Sequence, residues 1–265
     1  MLGPLSYIGG KRALAKRIIE LLPQHKTYVE AFAGGAQVFF HKPRSEVEVL
    51  NDLDHEIVNF FRVCQNHHEE LVRCLRFTIV SRGQFDLLRK ADPEDLTDIQ
   101  RAARYLYILK NSFASLVRSP TYHWHVVHPP GFNPEKLPEI IHNTHKRLAR
   151  VQIEELPYEK IIHNFDRPST FFFLDPPYFG KKLYHYNFEP KDFERLAEVL
   201  RTVRGKFLLT LNDVPEVRKI FHGFRMQGVE LAYTTQKHAG RRYREVFIMN
   251  FTPPRTKGGP EERPK

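Results

Sequence analysis

The sequence predicts an α/β fold, a Rossmann-like sheet interrupted by a mostly helical insertion. Strand patterns alternate with helical patterns near both ends of the chain, at 27–50 and at 170–210. An Ala-Gly-Gly-Ala turn at 33–36 separates the first strand from the following helix, as in nucleotide-binding α/β units. Between the two ends, residues 55–110 repeat apolar side chains at helical spacing and show few strand signals.

The N-terminal elements follow from local patterns. Apolar residues at helical spacing predict a helix over 10–22. A run of β-forming residues predicts a strand over 27–32, and a helix is expected after the glycine turn, at 38–40. A second strand is predicted over 46–50.

The rest of the chain continues the alternation after the helical block. The proline-rich stretch 118–138 predicts an irregular loop or a short hairpin. The other predicted elements are strands over 150–154, 170–174 and 206–210, a helix over 191–204, and late strands near 229–234 and 246–251.

Composition and charge bound the class of protein. Hydrophobic residues make up 41% and charged residues 27%, which is typical of a chain that forms a core. The net charge of +10 suits a polyanionic partner, although charge alone leaves nucleic-acid binding as open as its absence. Residues 101–150 hold eight Lys and Arg against two Asp and Glu, a net +6, so phosphate contacts are expected there first.

The cysteines, the apolar runs and the last residues indicate the expected location of the protein and its ordered extent. The two cysteines, Cys64 and Cys74, match no zinc or redox spacing, and a reducing cytoplasm is the expected location. No apolar run approaches the roughly 18 residues of a membrane span, so no membrane contact is expected. Residues 253–265 lack core-forming side chains and are expected to form a disordered tail.

The strongest chemical signal is the sequence Asp175-Pro176-Pro177-Tyr178 directly after the strand 170–174, which is apolar from Phe171 to Leu174. Ligands of open α/β sheets bind outside the carboxyl ends of the strands, where this tetrapeptide is placed. The Asp175 carboxylate and the Pro176 carbonyl could both accept from an exocyclic amino group of a base and stabilise the charge that develops on it. The Tyr178 ring could stack on that base. The plain alternative is a strand that ends in an inert turn.

Four segments together resemble the Dam-type (D12 class) family of DNA adenine-N6 methyltransferases. They are 1–12, 29–35, 50–52 and 175–178, and the resemblance extends from residue 1 to about 251. It implies an S-adenosylmethionine-dependent methyltransferase sheet with a DNA-recognition insertion. The implied activity is site-specific transfer of a methyl group to adenine N6 of double-stranded DNA, on a base flipped out of the duplex.

The resemblance also implies a cofactor site for S-adenosyl-L-methionine. Lys11 would pair with the cofactor carboxylate, Asp52 would bind the ribose hydroxyls, and Tyr158 would pack near the adenine. Pro157 stands where many relatives have an acidic residue. The implied cofactor-binding residues are Tyr7, Lys11, Glu30, Phe32, Gly34, Gly35, Asp52, Tyr158 and Asp175, and the implied catalytic residues are Asp175, Pro176, Pro177 and Tyr178.

DNA contacts are expected mainly in the insertion, where basic residues could bind phosphates and aromatic residues could wedge into the opened duplex. A small local core is the alternative for the aromatic residues. Loop histidines without a carboxylate or cysteine nearby do not predict a metal site. Asn212 and Asp213 resemble a late family element, with a helix cap as the alternative. The DNA-binding candidates are Arg101, Asn111, Arg118, Tyr122, Trp124 and Arg242.

The predicted organisation has a catalytic methyltransferase domain at 1–54 and 146–252, a helical DNA-recognition insertion at 55–145 and a tail at 253–265. A monomer is the simplest expectation, and a cognate restriction endonuclease is a candidate partner. The alternatives are an amino-methyltransferase acting on RNA or on cytosine N4, and a DNA-binding relative that has lost catalysis.

Overall fold

A computed structural model describes residues 3–5, 11–113, 119–124, 126, 129–232 and 242–254 of the chain. These residues form one seven-stranded sheet with helices on both faces, as the sequence predicts. None of the helices in this part of the chain is long and apolar enough to cross a membrane.

The sheet is parallel on one side and mixed on the other. Its strand order is β3-β2-β1-β4-β5-β7-β6, and β7 runs antiparallel to both of its neighbours. The strands are β1 (Thr27–Glu30), β2 (Val47–Asn51), β3 (Gln152–Glu154), β4 (Thr170–Leu174), β5 (Lys206–Asn212), β6 (Arg225–Ala232) and β7 (Arg242–Met249).

The helices lie between the strands in chain order. A 3-10 turn (Lys11–Ala13) precedes α1, and a second (Pro93–Asp95) precedes α6. The helices are α1 (Ala15–Leu21), α2 (Gln37–His41), α3 (His55–Asn66), α4 (His68–Leu75), α5 (Arg82–Lys90), α6 (Asp98–Asn111), α7 (Leu137–Leu148), α8 (Tyr158–Phe165), α9 (Pro190–Thr202) and α10 (Pro215–Ile220).

Alternation along the central strands divides the core into two layers. Tyr28 and Phe171 belong to a buried cluster shared with helices α1 to α7. Val29 and Phe172, one position further along each strand, belong to a second cluster with α8, α9 and α10. Successive side chains of a strand point to opposite faces, so both faces of the sheet are covered. This explains why β4 is apolar from Phe171 to Leu174.

Three helices were not predicted from the sequence. They are α7, α8 and α10, of which α8 and α10 have only eight and six residues. Short helices carry little periodic signal, and tertiary packing against the sheet provides most of their stability. In the stretch predicted as an irregular loop or a short hairpin, Tyr122 forms an isolated antiparallel bridge with Ser112, which precedes that stretch. Of the predicted tail, residues 255–265 lie outside the described residues.

The topology creates a crevice beside β1. The chain leaves β1 toward β2 on one side, and β4 pairs with β1 on the other side. The order of the strands reverses at this point, and ligands of open α/β sheets bind at such a switch point, outside the carboxyl ends of the strands. The segments after β1, β2 and β4 therefore meet at one place.

Candidate active site

One cleft joins the segments that the sequence singled out. It is lined by the turn after β1 (31–36), the segment after β2 (51–54), the start of α8 (156–159) and residues that follow β4, including Asp175 and Pro177. Residues of the loop at 184–188 also line it. Asp175 therefore shares a cleft with the glycine turn, as the motif predicts.

The glycine turn is held by the end of β2. Gly34 has a φ of 47°, a left-handed conformation that costs glycine little, and its backbone N–H donates to Asp52 Oδ2 at 2.8 Å. The Ala33 N–H donates to the Asn51 carbonyl at 2.8 Å. These contacts fix the backbone of the turn at the edge of the cleft, where a ligand can approach it closely.

Asp52 keeps acceptor capacity toward the cleft. Its Oδ1 accepts from the Asp54 N–H at 3.0 Å and its Oδ2 from Gly34. Burial, the largest influence, raises the pKa of Asp52 to about 6 despite these two hydrogen bonds. Because each carboxylate oxygen has two lone pairs, the side chain can also accept from ligand hydroxyls.

Aromatic rings form one wall of the cleft. Phe32 and Tyr158 lie with their ring centres 5.5 Å apart, and Phe188 lies 5.8 Å from Tyr158. The Tyr158 hydroxyl is buried and has no hydrogen-bond partner among the described residues. A buried hydroxyl is costly when it is unpaired, so this wall suits a ligand with both a flat ring and polar atoms.

Glu30 differs from its expected role as a direct cofactor contact. It lines the cleft, but its carboxyl group is directed inward, where Oε1 accepts from the Tyr28 hydroxyl and the Phe39 N–H, each at 2.7 Å. Burial raises the pKa of Glu30 to about 8. Its side chain therefore links β1 to α2 beneath the cleft.

Asp175 is held from two sides. Thr210 of β5 donates its hydroxyl to Asp175 Oδ1 at 2.8 Å. The Lys11 ammonium lies 2.7 Å from Oδ1 and 2.9 Å from Oδ2. The family resemblance implied that Lys11 pairs with a cofactor carboxylate. In the structure, Lys11 pairs with the carboxylate of Asp175.

Tyr178 is fixed by its hydroxyl group. Lys11 donates to this hydroxyl at 2.8 Å, and the hydroxyl donates to Glu245 of β7 at 2.5 Å. Burial and the nearby carboxylates of Asp175 and Glu245 raise the pKa of Tyr178 well above its ordinary range. The hydroxyl therefore stays protonated at neutral pH, and the ring is half-buried beside the cleft.

Asn212 holds the segment after the motif. Its side-chain oxygen accepts from the Phe179 N–H at 2.9 Å, and its side-chain nitrogen donates to the Phe179 carbonyl at 3.2 Å. This two-way contact replaces the helix-cap alternative for Asn212. Asp213, by contrast, forms a bidentate contact with Arg218 away from the cleft.

Two of the DNA-binding candidates already have partners within the protein. Arg101 is 13% exposed and is engaged by Glu56 and, at 2.9 Å, by Glu94, so these carboxylates would compete with a phosphate for it. Asn111 is fully buried and donates to the Tyr107 carbonyl, so it cannot reach a base edge. Helical periodicity does not fix which side of α6 faces the neighbouring helices, and both residues lie on the packed side.

The two aromatic candidates differ in their exposure to solvent. Tyr122 packs against Phe85 of α5 at 5.5 Å between ring centres, which supports the local-core alternative for this residue. Trp124 is 63% exposed, with the Arg82 guanidinium 5.7 Å from its ring centre. Trp124 therefore keeps an accessible face, as the DNA-binding hypothesis requires.

Some candidates lie outside the described residues, namely Tyr7, Arg118 and the side chain of Arg242. Within the described part of the chain, no cluster of histidine, cysteine or acidic side chains could bind a metal ion. Thr210 and Glu245 were not singled out from the sequence. The available signal was a polar residue within or beside an apolar strand, since Thr210 interrupts β5 and Glu245 precedes the apolar run at 246–249.

Known proteins resemble this chain along most of its length. A family model described as D12 class N6 adenine-specific DNA methyltransferase matches residues 7–235. Type II methyltransferase M.CviBI of Paramecium bursaria Chlorella virus NC1A is 26% identical over 89% of this chain and 93% of its own. Type II methyltransferase M1.LlaDCHI of Lactococcus lactis subsp. cremoris is 24% identical over 92% of this chain and 94% of its own.

Solved structures add only a distant likeness. A crystal structure titled as an rRNA methylase from Streptococcus thermophilus covers 91% of this chain and 96% of its own, at 11% identity and a TM-score of 0.37. Such a score carries no argument about function. The family model, by contrast, spans most of the chain and includes the glycine turn, Asp52 and the motif at 175–178. The chain therefore belongs to the family of D12 class N6 adenine-specific DNA methyltransferases.

Proposed function

We propose that this chain methylates adenine N6 in double-stranded DNA on a base that is turned out of the duplex into the cleft beside Asp175. As a member of its family the chain is an adenine-specific DNA methyltransferase, and S-adenosyl-L-methionine is its cofactor. The proposal concerns which residues perform the reaction. The observation that carries it is the Asp175 carboxylate, held by Lys11 and Thr210 in the same cleft as the glycine turn and Asp52.

The residues of the cleft fit the cofactor. The aromatic wall of Phe32, Tyr158 and Phe188 would hold its adenine ring, and the unpaired Tyr158 hydroxyl would gain a partner. Asp52 would accept from the two ribose hydroxyls, and the backbone of the glycine turn would lie against the ligand. When bound, the cofactor supplies a methyl group made electrophilic by the sulfonium charge.

Asp175 would act on the target base. The adenine amino group is a weak nucleophile because its lone pair is delocalised into the ring. The Asp175 carboxylate and the Pro176 carbonyl would accept hydrogen bonds from its two N–H groups. They would also stabilise the positive charge that develops on the nitrogen. Thr210 and Lys11 hold the carboxylate in place before the base arrives, so little reorganisation is required. The Tyr178 ring would stack on the base.

A second cleft supports the placement of DNA. It lies between the loop at 184–188 and the helices of the insertion, and it shares Asp54, His185 and Tyr186 with the first cleft. Arg89, Arg101 and Arg104 also line it, and the last two are already paired with Glu56. We infer that the duplex runs along this second cleft, which would place an extruded base within reach of Asp175.

The proposed domain division follows from this arrangement. Residues 55–145 would form the DNA-recognition insertion, and 1–54 with 146–252 the catalytic domain. The strongly basic segment 101–150 and the exposed Trp124 support a DNA-facing insertion. Both relatives are named as Type II methyltransferases, which supports a role beside a restriction endonuclease.

Nucleoside analysis tests the proposed function. The purified chain would be incubated with methyl-labelled cofactor in three parallel reactions. These contain duplex DNA, single-stranded DNA or RNA, each of mixed sequence. We expect N6-methyldeoxyadenosine from duplex DNA, and no label in cytosine or in RNA. Label in N4-methylcytosine or only in RNA would support the other amino-methyltransferase alternatives, and binding of DNA without any transfer would support an inactive relative.

A further inference from the structure

Glu245 is a buried acidic residue beside the motif at 175–178, and the proposed function gives it no role. It is 7% exposed and lies on β7 opposite Asn212 of β5. Its Oε1 accepts from the Tyr178 hydroxyl at 2.5 Å. Its Oε2 lies 4.0 Å from the Lys11 ammonium and has no hydrogen-bond partner among the described residues. A buried carboxylate is costly, so this placement calls for an explanation.

The direction of the hydrogen bonds shows what Glu245 does to its neighbours. An ammonium group can only donate, so the Tyr178 oxygen accepts from Lys11. The single hydroxyl hydrogen of Tyr178 must then go to Glu245. Glu245 thereby fixes the order of donors from Lys11 through Tyr178, and the same ammonium also contacts both oxygens of Asp175.

The charges of this cluster favour the proposed chemistry. Lys11 supplies one positive charge, and Asp175 and Glu245 supply one negative charge each when both are ionised. The cluster is then negative by one charge beside an amino group that becomes positive. If Glu245 were neutral, Lys11 would offset Asp175 completely, and the stabilisation of the reacting nitrogen would be weaker.

We propose that Glu245 is a positioning residue for methyl transfer, which acts through Tyr178 and Lys11 to hold the Asp175 carboxylate in place and to keep the cluster negatively charged. This inference rests on the proposed function of Asp175. Glu245 does not contact the base or the cofactor in this account.

The groups that face Glu245 define its pH dependence. They are Lys11 from the first 3-10 turn, and Asp175 and Tyr178 from the segment after β4, while its partner residues on β5 and β6, Asn212 and Val229, are uncharged. Burial raises the pKa of Glu245, and the Lys11 charge and the Tyr178 hydrogen bond lower it. As the pH falls, protonation of Glu245 would remove its charge and slow the transfer.

The test compares Glu245→Gln with wild type in single-turnover methylation of duplex DNA across about pH 5 to 9. Gln keeps the shape and an acceptor oxygen for Tyr178 but carries no charge. We expect Glu245→Gln to lower the rate by about tenfold or more, to leave cofactor and DNA affinity unchanged, and to reduce the acid limb of the wild-type profile. Glu230→Gln is the matched control, because Glu230 lies on the same hairpin with a side chain that is 47% exposed.

A second variant and the activity of the wild type complete the test. If Glu245→Gln does not fold, Tyr178→Phe replaces it. This change removes the hydroxyl link and the hydrogen bond that lowers the pKa of Glu245, so it should slow the transfer and move the acid limb to higher pH. A variant of either kind with the rate and pH profile of wild type overturns the inference. If wild type itself transfers no methyl to DNA adenine, the proposed function fails instead, so the two failures are distinguishable.

Discussion

Thr210→Val removes one support of Asp175 with almost no change of shape. The Thr210 side chain is fully buried, and its hydroxyl donates to Asp175 Oδ1 at 2.8 Å, with the Leu174 carbonyl a longer second acceptor at 3.3 Å. A hydrogen bond to a charged group contributes about 1.5–3 kcal/mol, and about 1.4 kcal/mol is a tenfold change in rate. If the contact acts fully in the transition state, the methyl-transfer rate falls by roughly 10- to 150-fold. Lys11 still contacts Asp175, so some activity remains.

Thr144→Val is the matched control for this prediction. Thr144 is also fully buried, and its hydroxyl donates to the Ile140 carbonyl at 2.8 Å within α7, away from the cleft. Both variants lose one buried hydroxyl bond, and each should lower the melting temperature by about 2–4 °C for every kcal/mol lost. Single-turnover methylation and thermal unfolding would be measured for both. Equal rates for Thr210→Val and Thr144→Val would refute the assigned role of Thr210.

Two predictions concern stability and DNA binding. Folding raises the pKa of Glu30 from 4.5 to about 8, so the folded chain takes up a proton between these values and loses stability as the pH rises through them. Glu30→Gln keeps an acceptor for Tyr28 and Phe39, and thermal unfolding of this variant should show a flatter pH profile; an unchanged slope would contradict the assignment. Trp124→Ala should weaken duplex binding by about 1–3 kcal/mol with an unchanged melting temperature, whereas Phe77→Ala, at another exposed aromatic, should not. Equal losses in a titration of both variants would remove Trp124 from the interface.

Local motifs made the central part of the site predictable. The strand at 170–174 was predicted with its observed bounds, because an all-apolar run ended by Asp175-Pro176 leaves little choice of register. The glycine turn and Asp52 also lie where strand ends place them. Parallel strands bring their carboxyl ends to one edge, so residues far apart in sequence could be assigned to one cleft.

Long-range packing determined what was missed. Thr210 and Glu245 reach Asp175 and Tyr178 only because β5 pairs with both β4 and β7, and no local pattern gives that strand order. The partner of Lys11 was unpredictable for the same reason.

The errors in the insertion have a related cause. Helical periodicity located α6 but did not give the partners of its polar residues. Arg101 was expected at the surface, yet Glu56 of α3 and Glu94 engage it. A basic residue on a helix therefore indicates a phosphate contact only when no acidic side chain of a neighbouring element lies within reach.

Asp175→Asn tests the central claim most directly. The substitution keeps the size of the side chain and one acceptor oxygen, and it removes the charge that is proposed to stabilise the reacting amino group. Single-turnover transfer to duplex DNA would be measured together with cofactor and DNA affinity. We expect transfer to be abolished while both ligands still bind, and a variant that methylates adenine at close to the wild-type rate would contradict the account.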